Sequence, residues 1–148
     1  MALEELYREV ILDHYRNPRN RSPLDTADYV AEGVNPLCGD EVTVQVAFDG
    51  ERVGAVSVRG HGCSISQSSG SMMSEAIKGL TRQELADLSQ RFQQMLTSEN
   101  GDRSFDQARP GSVLGDLEAL QGVRRYPVRI KCAALPWTTL DQALTSPS

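Results

Sequence analysis

The feature that most constrains this chain is a pair of alternating segments joined by Asp49-Gly50. Apolar and more polar residues alternate over 42–47, and residues 53–58 repeat the pattern after the turn. A period of two is typical of a strand with one buried face. An Asp-Gly pair between two such segments is a strong hairpin signal, because a tight turn requires positive φ. The sequence therefore predicts an antiparallel hairpin.

Potential metal ligands lie immediately before and immediately after this hairpin in the sequence. Cys38 and Asp40 come immediately before it, and Cys63 comes immediately after it. Because a hairpin returns the chain to its starting edge, we expect the two segments to lie side by side. Glycines flank both cysteines and leave each sulfur open to a metal or a partner. Cys63 also precedes a predicted helix, whose N-terminal amides and dipole favour a thiolate.

Helical periodicity and one further strand surround the hairpin. A short strand-like stretch covers residues 29–31, and Thr81 with Glu84 forms a capping-box pattern. We find no boundary at which a second core would begin, so residues 1–148 are expected to form one domain of mixed helix and sheet. The predicted helices are 3–16, 64–78, 81–96, 114–120 and 133–143.

Composition excludes several classes of function. The chain has 15 Lys and Arg against 20 Asp and Glu, a formal net charge of -5, whereas nucleic-acid binders usually carry a basic surplus. No apolar stretch reaches the length of a membrane span. The first residues lack the pattern of a secretory signal, so we expect a cytoplasmic protein. In a reducing compartment the three cysteines are better explained as thiols or metal ligands than as disulfides.

Three thiols and one carboxylate are candidate metal ligands. Thiolates of Cys38, Cys63 and Cys132 together with Asp40 would suit zinc in a tetrahedral site. The alternative is that the cysteines are buried apolar residues, since free cysteine is among the most buried residue types. Spacing alone leaves both interpretations open.

Two further polar side chains, His61 and Lys131, lie close to candidate ligands in the sequence, and His14 lies in the first predicted helix. His61 is a further candidate ligand, although a loop histidine is more often solvated. Lys131 would raise the thiolate fraction of Cys132 through its charge, or would extend along the surface. His14 is expected on the surface of the first helix.

Taken together, the motifs resemble the SufU branch of the IscU-like and NifU-N-like iron–sulfur cluster assembly proteins. The likeness covers almost the whole chain in the same order. Lys131 stands where IscU scaffold proteins place a histidine next to the last cysteine, which is a SufU-like feature. The segments that carry the resemblance are 6–15, Asn17-Pro18, 35–40, 62–66, 71–73, 115–123 and 127–133.

The resemblance implies a fold, a site and a partner. The fold is an α+β three-stranded antiparallel sheet with helices packed against it and a metal site at one exposed end. The ligands are Cys38, Asp40, Cys63 and Cys132, with Zn²⁺ as the metal. Cys38 is the sulfur acceptor in a zinc-dependent, sulfurtransferase-like role, and the donor is a SufS-type cysteine desulfurase. The sulfur then passes to a downstream cluster-assembly scaffold or an apo-acceptor.

Two rival hypotheses use the same residues. In the first, Cys38, Cys63 and Cys132 hold a transient [2Fe–2S] cluster that is assembled here and passed on, because thiolates bind both zinc and such clusters. In the second, the zinc is purely structural. Structural zinc sites usually have four strong ligands, often in paired cysteines, which a dispersed set with one carboxylate matches poorly.

Overall fold

The computed structural model describes residues 3–36, 39–97 and 115–145. None of the helices in these ranges combines the length and apolarity needed to cross a bilayer. The elements, in chain order, are α1 (Leu3–Arg16), β1 (Tyr29–Asn35), β2 (Asp40–Asp49), β3 (Arg52–His61), α2 (Ser64–Ala76), α3 (Arg82–Thr97), a 3₁₀ helix (Gly115–Arg125) and α4 (Pro127–Thr145).

The three strands form one antiparallel sheet in the order β1-β2-β3. Asp49 pairs with Arg52, so Gly50 and Glu51 make a two-residue turn in which Gly50 has a φ of 65°. The predicted hairpin and the predicted fold class are therefore confirmed. β1 extends to Asn35, four residues beyond the predicted stretch, because it pairs with β2 along its whole length.

The core lies between the sheet and the helices. Val44 and Val46 on β2 are fully buried, and α4 contacts both β1 and β2. Phe92 of α3 stacks on Trp137 of α4 with ring centroids 4.7 Å apart. Aromatic pairs of this kind stabilise a core beyond the area they bury. α3 is thus fixed to α4, and the same core includes the predicted ligand Cys132.

Small residues let α2 approach its neighbours closely. A Cβ on Gly70 would lie 2.9 Å from Cγ1 of Val58, and the hydroxyl of Ser69 donates to the carbonyl of Ala133 at 2.6 Å. The indole nitrogen of Trp137 donates to the same hydroxyl at 3.2 Å. These contacts hold α2 against β3 and α4, and one predicted cysteine ligand lies at or near the N-terminal end of each of the two helices.

Several helix boundaries follow from local chemistry. The capping box is confirmed: the backbone nitrogen of Thr81 donates to Oε1 of Glu84 at 3.0 Å, and that of Glu84 donates to Oγ1 of Thr81 at 3.2 Å. The last helix begins at Pro127, six residues before the predicted start, because proline is pre-organised for the first helical position. Conversely, α2 ends at Ala76, short of the predicted residue 78, with Ile77 as its C-cap.

Candidate metal centre

Three of the four predicted ligands converge at one end of the sheet. One ligand atom from each of Asp40, Cys63 and Cys132 lies within 4.8 Å of the other two. Oδ2 of Asp40 is 3.8 Å from Sγ of Cys63. In a tetrahedral zinc site the ligand atoms lie about 3.3–3.8 Å apart, given metal–ligand bonds of about 2.0–2.3 Å. The three residues therefore fit zinc. Cys38, the predicted fourth ligand, lies outside the described residues and stays a prediction.

The register of the sheet explains this convergence. Asn35 at the end of β1 pairs with Asp40 at the start of β2, and Glu41 pairs with His61 at the end of β3. The chain segments on both sides of Asp40 therefore reach the same end of the sheet, and Cys63 follows two residues after β3. This confirms the expectation drawn from the hairpin for Asp40 and Cys63.

Asp40 is fixed through one of its two carboxylate oxygens. Its Oδ1 accepts a hydrogen bond from the backbone nitrogen of Cys63 at 2.8 Å, and the residue is fully buried. Oδ2 is the oxygen on the side of the Cys63 sulfur. A buried carboxylate needs partners of this kind, because burying an unpaired charge is costly. The arrangement offers a metal one oxygen while the other holds the backbone.

Gly62 makes room for that carboxylate. Its φ is 146°, a conformation that residues with a Cβ rarely adopt. A Cβ added there would lie 2.3 Å from Oδ1 of Asp40, well inside contact distance. Glycine is therefore required at this position for both backbone and steric reasons.

Cys63 is the N-cap of α2. Its backbone is extended, with φ −72° and ψ 165°, and its sulfur accepts a hydrogen bond from the backbone nitrogen of Ser66 at 3.5 Å. The Ser66 hydroxyl lies 3.8 Å from the same sulfur. The expectation that Cys63 stands at a helix N-terminus is confirmed.

Cys132 is buried within α4, with 1% of its surface exposed. It lies in the second turn of that helix, not at its start as the sequence suggested, because the helix already begins at Pro127. Its sulfur is 3.5 Å from the carbonyl oxygen of Val128 and 3.8 Å from Nδ2 of Asn35. Sequence reasoning missed Asn35 as a site residue, since only the strand register shows that it lies opposite Asp40.

His61 and Lys131 lie outside the cluster of three ligands. Nε2 of His61 is 2.8 Å from Oε2 of Glu41, and both side chains are exposed. Alternation along β2 places Glu41 on the opposite side from buried Asp40. Lys131 is also exposed. In the part of the chain that the structure describes, neither residue contributes to the convergence.

The expectation that His14 lies on the surface is wrong. His14 is 2% exposed, with Nδ1 2.8 Å from Oγ of Ser71 and Nε2 2.9 Å from Oδ2 of Asp116. The backbone nitrogen of Arg19 also donates to the Ser71 hydroxyl at 3.0 Å. A hydrogen-bonded serine, histidine and aspartate occur in many hydrolases, but here Ser71 is only 3% exposed, so no substrate reaches its hydroxyl. The group joins α1, α2 and the 3₁₀ helix.

Two proteins of known function are similar to this chain over most of its length. The chain is 43% identical over 142 residues to the zinc-dependent sulfurtransferase SufU of Bacillus subtilis (strain 168), covering 96% of this chain and 91% of that protein. It is 34% identical over 142 residues to the iron–sulfur cluster assembly scaffold protein IscU of Streptococcus pyogenes serotype M1, covering 96% and 84%.

The fold has close counterparts among solved structures. It superimposes with a TM-score of 0.81 and 37% identity on a candidate iron–sulfur cluster assembly scaffold protein for the SUF system from Fervidobacterium islandicum AW-1, covering 97% of this chain and 99% of that one. Residues 6–133 match the family of NifU-like N terminal domains. This chain therefore belongs to the NifU-like N-terminal domain family, as a SufU-type member.

Proposed function

We propose that this chain accepts sulfur as a persulfide on Cys38 during iron–sulfur cluster assembly, while zinc is held by Asp40, Cys63 and Cys132. The observation that carries the proposal is the convergence of these three side chains to within 4.8 Å. The chain is similar over 96% of its length to a zinc-dependent sulfurtransferase, which supports sulfur transfer as its reaction. The role of Cys38 rests on the resemblance of the segment 35–40 to SufU proteins.

The three described ligands are suited to retaining a metal while a fourth group reacts. They come from β2, from the start of α2 and from α4, which the hydrophobic core fixes to one another. Bound zinc would keep its cysteine ligands deprotonated at neutral pH. In the resting state Cys38 would complete the ligand set, and its thiolate would become nucleophilic when released toward a donor.

The sulfur donor in this proposal is a SufS-type cysteine desulfurase that carries a persulfide on its own cysteine. The Cys38 thiolate attacks the outer sulfur of that persulfide and forms a new S–S bond. The donor's S–S bond breaks, and the donor cysteine leaves as a thiolate. The transfer requires no external oxidant or reductant. The persulfide on Cys38 would then pass to a scaffold or an apo-protein.

Exposed apolar side chains near the cluster support a protein partner at this end of the molecule. Val34, next to Asn35, is 60% exposed, and Val128, whose carbonyl contacts the Cys132 sulfur, is 54% exposed. Apolar side chains left exposed beside the ligands are available for contact with a partner protein. A desulfurase bound here would bring its persulfide close to the ligands.

The proposal is tested by incubating the zinc-loaded protein with a SufS-type desulfurase and cysteine, and measuring alanine release and persulfide position. Trypsin separates the three cysteines into peptides 22–52, 60–78 and 132–148. We expect faster alanine release and a mass increase of one sulfur atom on peptide 22–52 alone.

Matched variants make this result specific. Cys38→Ser should abolish both the stimulation and the persulfide, whereas Glu41→Gln, an outward-facing carboxylate beside Asp40, should preserve both. Persulfide on peptide 60–78 or 132–148 in the native protein would assign the acceptor to another cysteine. Unchanged alanine release with no persulfide on any peptide would overturn the proposal.

A second candidate function is assembly of a [2Fe–2S] cluster on the same ligands. It is favoured by the similarity to proteins named as iron–sulfur cluster scaffolds. Thiolates from Cys38, Cys63 and Cys132 would hold the cluster. Anaerobic reconstitution followed by transfer of the intact cluster to an apo-acceptor would establish it. A reconstituted spectrum with no transfer would favour the sulfur acceptor.

A further inference from the structure

Asn35 connects the turn between β1 and β2 with the helix that carries Cys132. It is the last residue of β1, it pairs with Asp40 in the strand register, and only 7% of its surface is exposed. Its side-chain Nδ2 lies 3.8 Å from Sγ of Cys132, across 97 positions of sequence. The buried amide of Asn35 therefore contacts one predicted ligand, Cys132, and Asn35 lies opposite another predicted ligand, Asp40, in the sheet.

The chemistry of this contact depends on the state of the sulfur. As a thiol, Cys132 donates its hydrogen to the carbonyl oxygen of Val128, 3.5 Å away. As a thiolate bound to a metal, it has no hydrogen to give and becomes an acceptor only. The amide of Asn35 is a donor, so its contact with the sulfur is strengthened in the deprotonated state.

We propose that Asn35 is a positioning residue that holds Cys132 as a retained metal ligand through an N–H···S hydrogen bond. Donation to a thiolate withdraws electron density from the sulfur, which makes it a poorer nucleophile. Cys63 receives comparable donation from Ser66. This inference rests on the proposed metal site and not on which cysteine carries the persulfide.

The test replaces the amide and measures the metal directly. Asn35→Leu keeps a similar shape but removes the donor, and Asn35→Asp replaces the donor by a carboxylate oxygen. Gln45→Leu is the matched control: Gln45 is a part-buried amide on the same sheet, and it bonds the backbone of Leu24 instead of a ligand. Each protein is loaded with Co²⁺ for absorption spectra, and with Zn²⁺ for competition against a chelator.

In Asn35→Leu we expect the cobalt–thiolate charge-transfer band to move to lower energy, because the sulfur lone pairs lose their stabilising donor. Zinc affinity should fall about 10-fold to 100-fold, the usual effect of losing a hydrogen bond to a metal ligand. Asn35→Asp should weaken zinc binding further, since a carboxylate repels a thiolate. Gln45→Leu should leave both the spectrum and the affinity unchanged.

An unshifted band together with native zinc affinity in Asn35→Leu would overturn the proposal. Weaker zinc binding with an unshifted band would assign Asn35 to packing alone, which also overturns it. Should Asn35→Leu fail to fold, Asn35→Ala adds no bulk and carries the same expectations. Neither readout involves a desulfurase, so a failure of persulfide transfer to Cys38 would leave this test intact.

Discussion

Oδ1 of Asp40 lies 2.8 Å from the backbone nitrogen of Cys63, so the carboxylate fixes the cysteine beside it and leaves its second oxygen for the proposed metal. The two tasks belong to different oxygens, because Oδ2 is the one facing the Cys63 sulfur. A substitution that removes metal ligation but keeps the hydrogen bond to Cys63 should therefore lower metal affinity without lowering the stability of the metal-free protein.

The first prediction concerns Asp40 itself. Asp40→Asn should lower zinc affinity strongly, because the charged ligand is lost, yet leave the stability of the metal-free protein nearly native, since the amide oxygen still accepts from Cys63. Asp40→Ala should lose zinc affinity equally. It should also destabilise the metal-free protein by about 1–3 kcal/mol, the cost of leaving a buried donor unpaired. Chelator competition and chemical denaturation measure the two effects.

Glu41→Gln is the control for this pair, because Glu41 is the neighbouring carboxylate on the opposite side of β2. It should retain native zinc affinity. Equal stability of the Asn and Ala variants at position 40 would mean that the bond to Cys63 contributes nothing, and would contradict the separation of roles.

The second prediction concerns the space beside Asp40. Gly62→Ala should destabilise the protein by about 1–3 kcal/mol through backbone strain. It should also weaken zinc binding, because the added Cβ would displace a carboxylate oxygen that lies 2.3 Å away. Gly122→Ala is the matched control, since its Cβ would enter open space. Native zinc affinity in Gly62→Ala would show that the carboxylate tolerates displacement.

Much of this architecture could be predicted from local patterns. Alternating valines and Asp49-Gly50 predict the hairpin because tight turns and pleated strands impose their own residue preferences. From the hairpin alone, the meeting of Asp40 and Cys63 follows geometrically. The capping box of α3 was likewise predictable, because both of its hydrogen bonds join residues three positions apart.

Features that depend on long-range packing could not be predicted in this way. The position of Cys132 depends on α4 beginning at Pro127 and packing on β1, and no local pattern indicates that packing. The contact of Asn35 with Cys132 joins residues 97 positions apart. Helical periodicity predicts a surface position for His14, because it does not show that Ser71 and Asp116 pack against the ring.

The third prediction concerns the buried histidine. His14→Ala should destabilise the protein by about 1–3 kcal/mol, because the Ser71 hydroxyl loses a partner inside the core. Asp116→Asn should cost far less, since Asp116 is 61% exposed and an amide oxygen can still accept from the histidine. Both free energies of unfolding are measured in urea. Near-equal losses of unfolding free energy in the two variants would contradict the expectation that the buried His14–Ser71 hydrogen bond contributes more than the exposed one to Asp116.

The fourth prediction concerns the pH dependence of the α3 cap. The backbone N–H of Thr81, together with the Thr81 hydroxyl, lowers the pKa of Glu84 below its ordinary value of 4.5. A lowered pKa in the folded state means that the contribution of the carboxylate is fully present above pH 4.5. That contribution is lost as the pH falls through the lowered value.

Glu84→Gln keeps an acceptor for the Thr81 amide but cannot titrate. The native protein should therefore melt at a higher temperature than Glu84→Gln above pH 4.5, and the difference should shrink under acid. Glu51→Gln is the control for the loss of one negative charge, because Glu51 lies in the turn between β2 and β3 and not at the α3 cap. A difference that grows on acidification would contradict the sign of the shift.

The last prediction concerns metal removal, which separates a reactive site from a structural one. The core joins the sheet to α2, α3 and α4 through side chains such as Val44, Phe92 and Trp137, which are not ligands. Chelation should therefore leave the far-ultraviolet circular dichroism and cooperative unfolding in place. The free energy of unfolding should fall by the zinc-binding contribution alone, about 2.7 kcal/mol when free zinc stands at 100 times its dissociation constant, and the melting temperature should fall with it. Re-addition of zinc should restore the native value, and Asp40→Asn should show a much smaller zinc-dependent shift. Loss of secondary structure on chelation would instead identify the metal as a structural element of the fold.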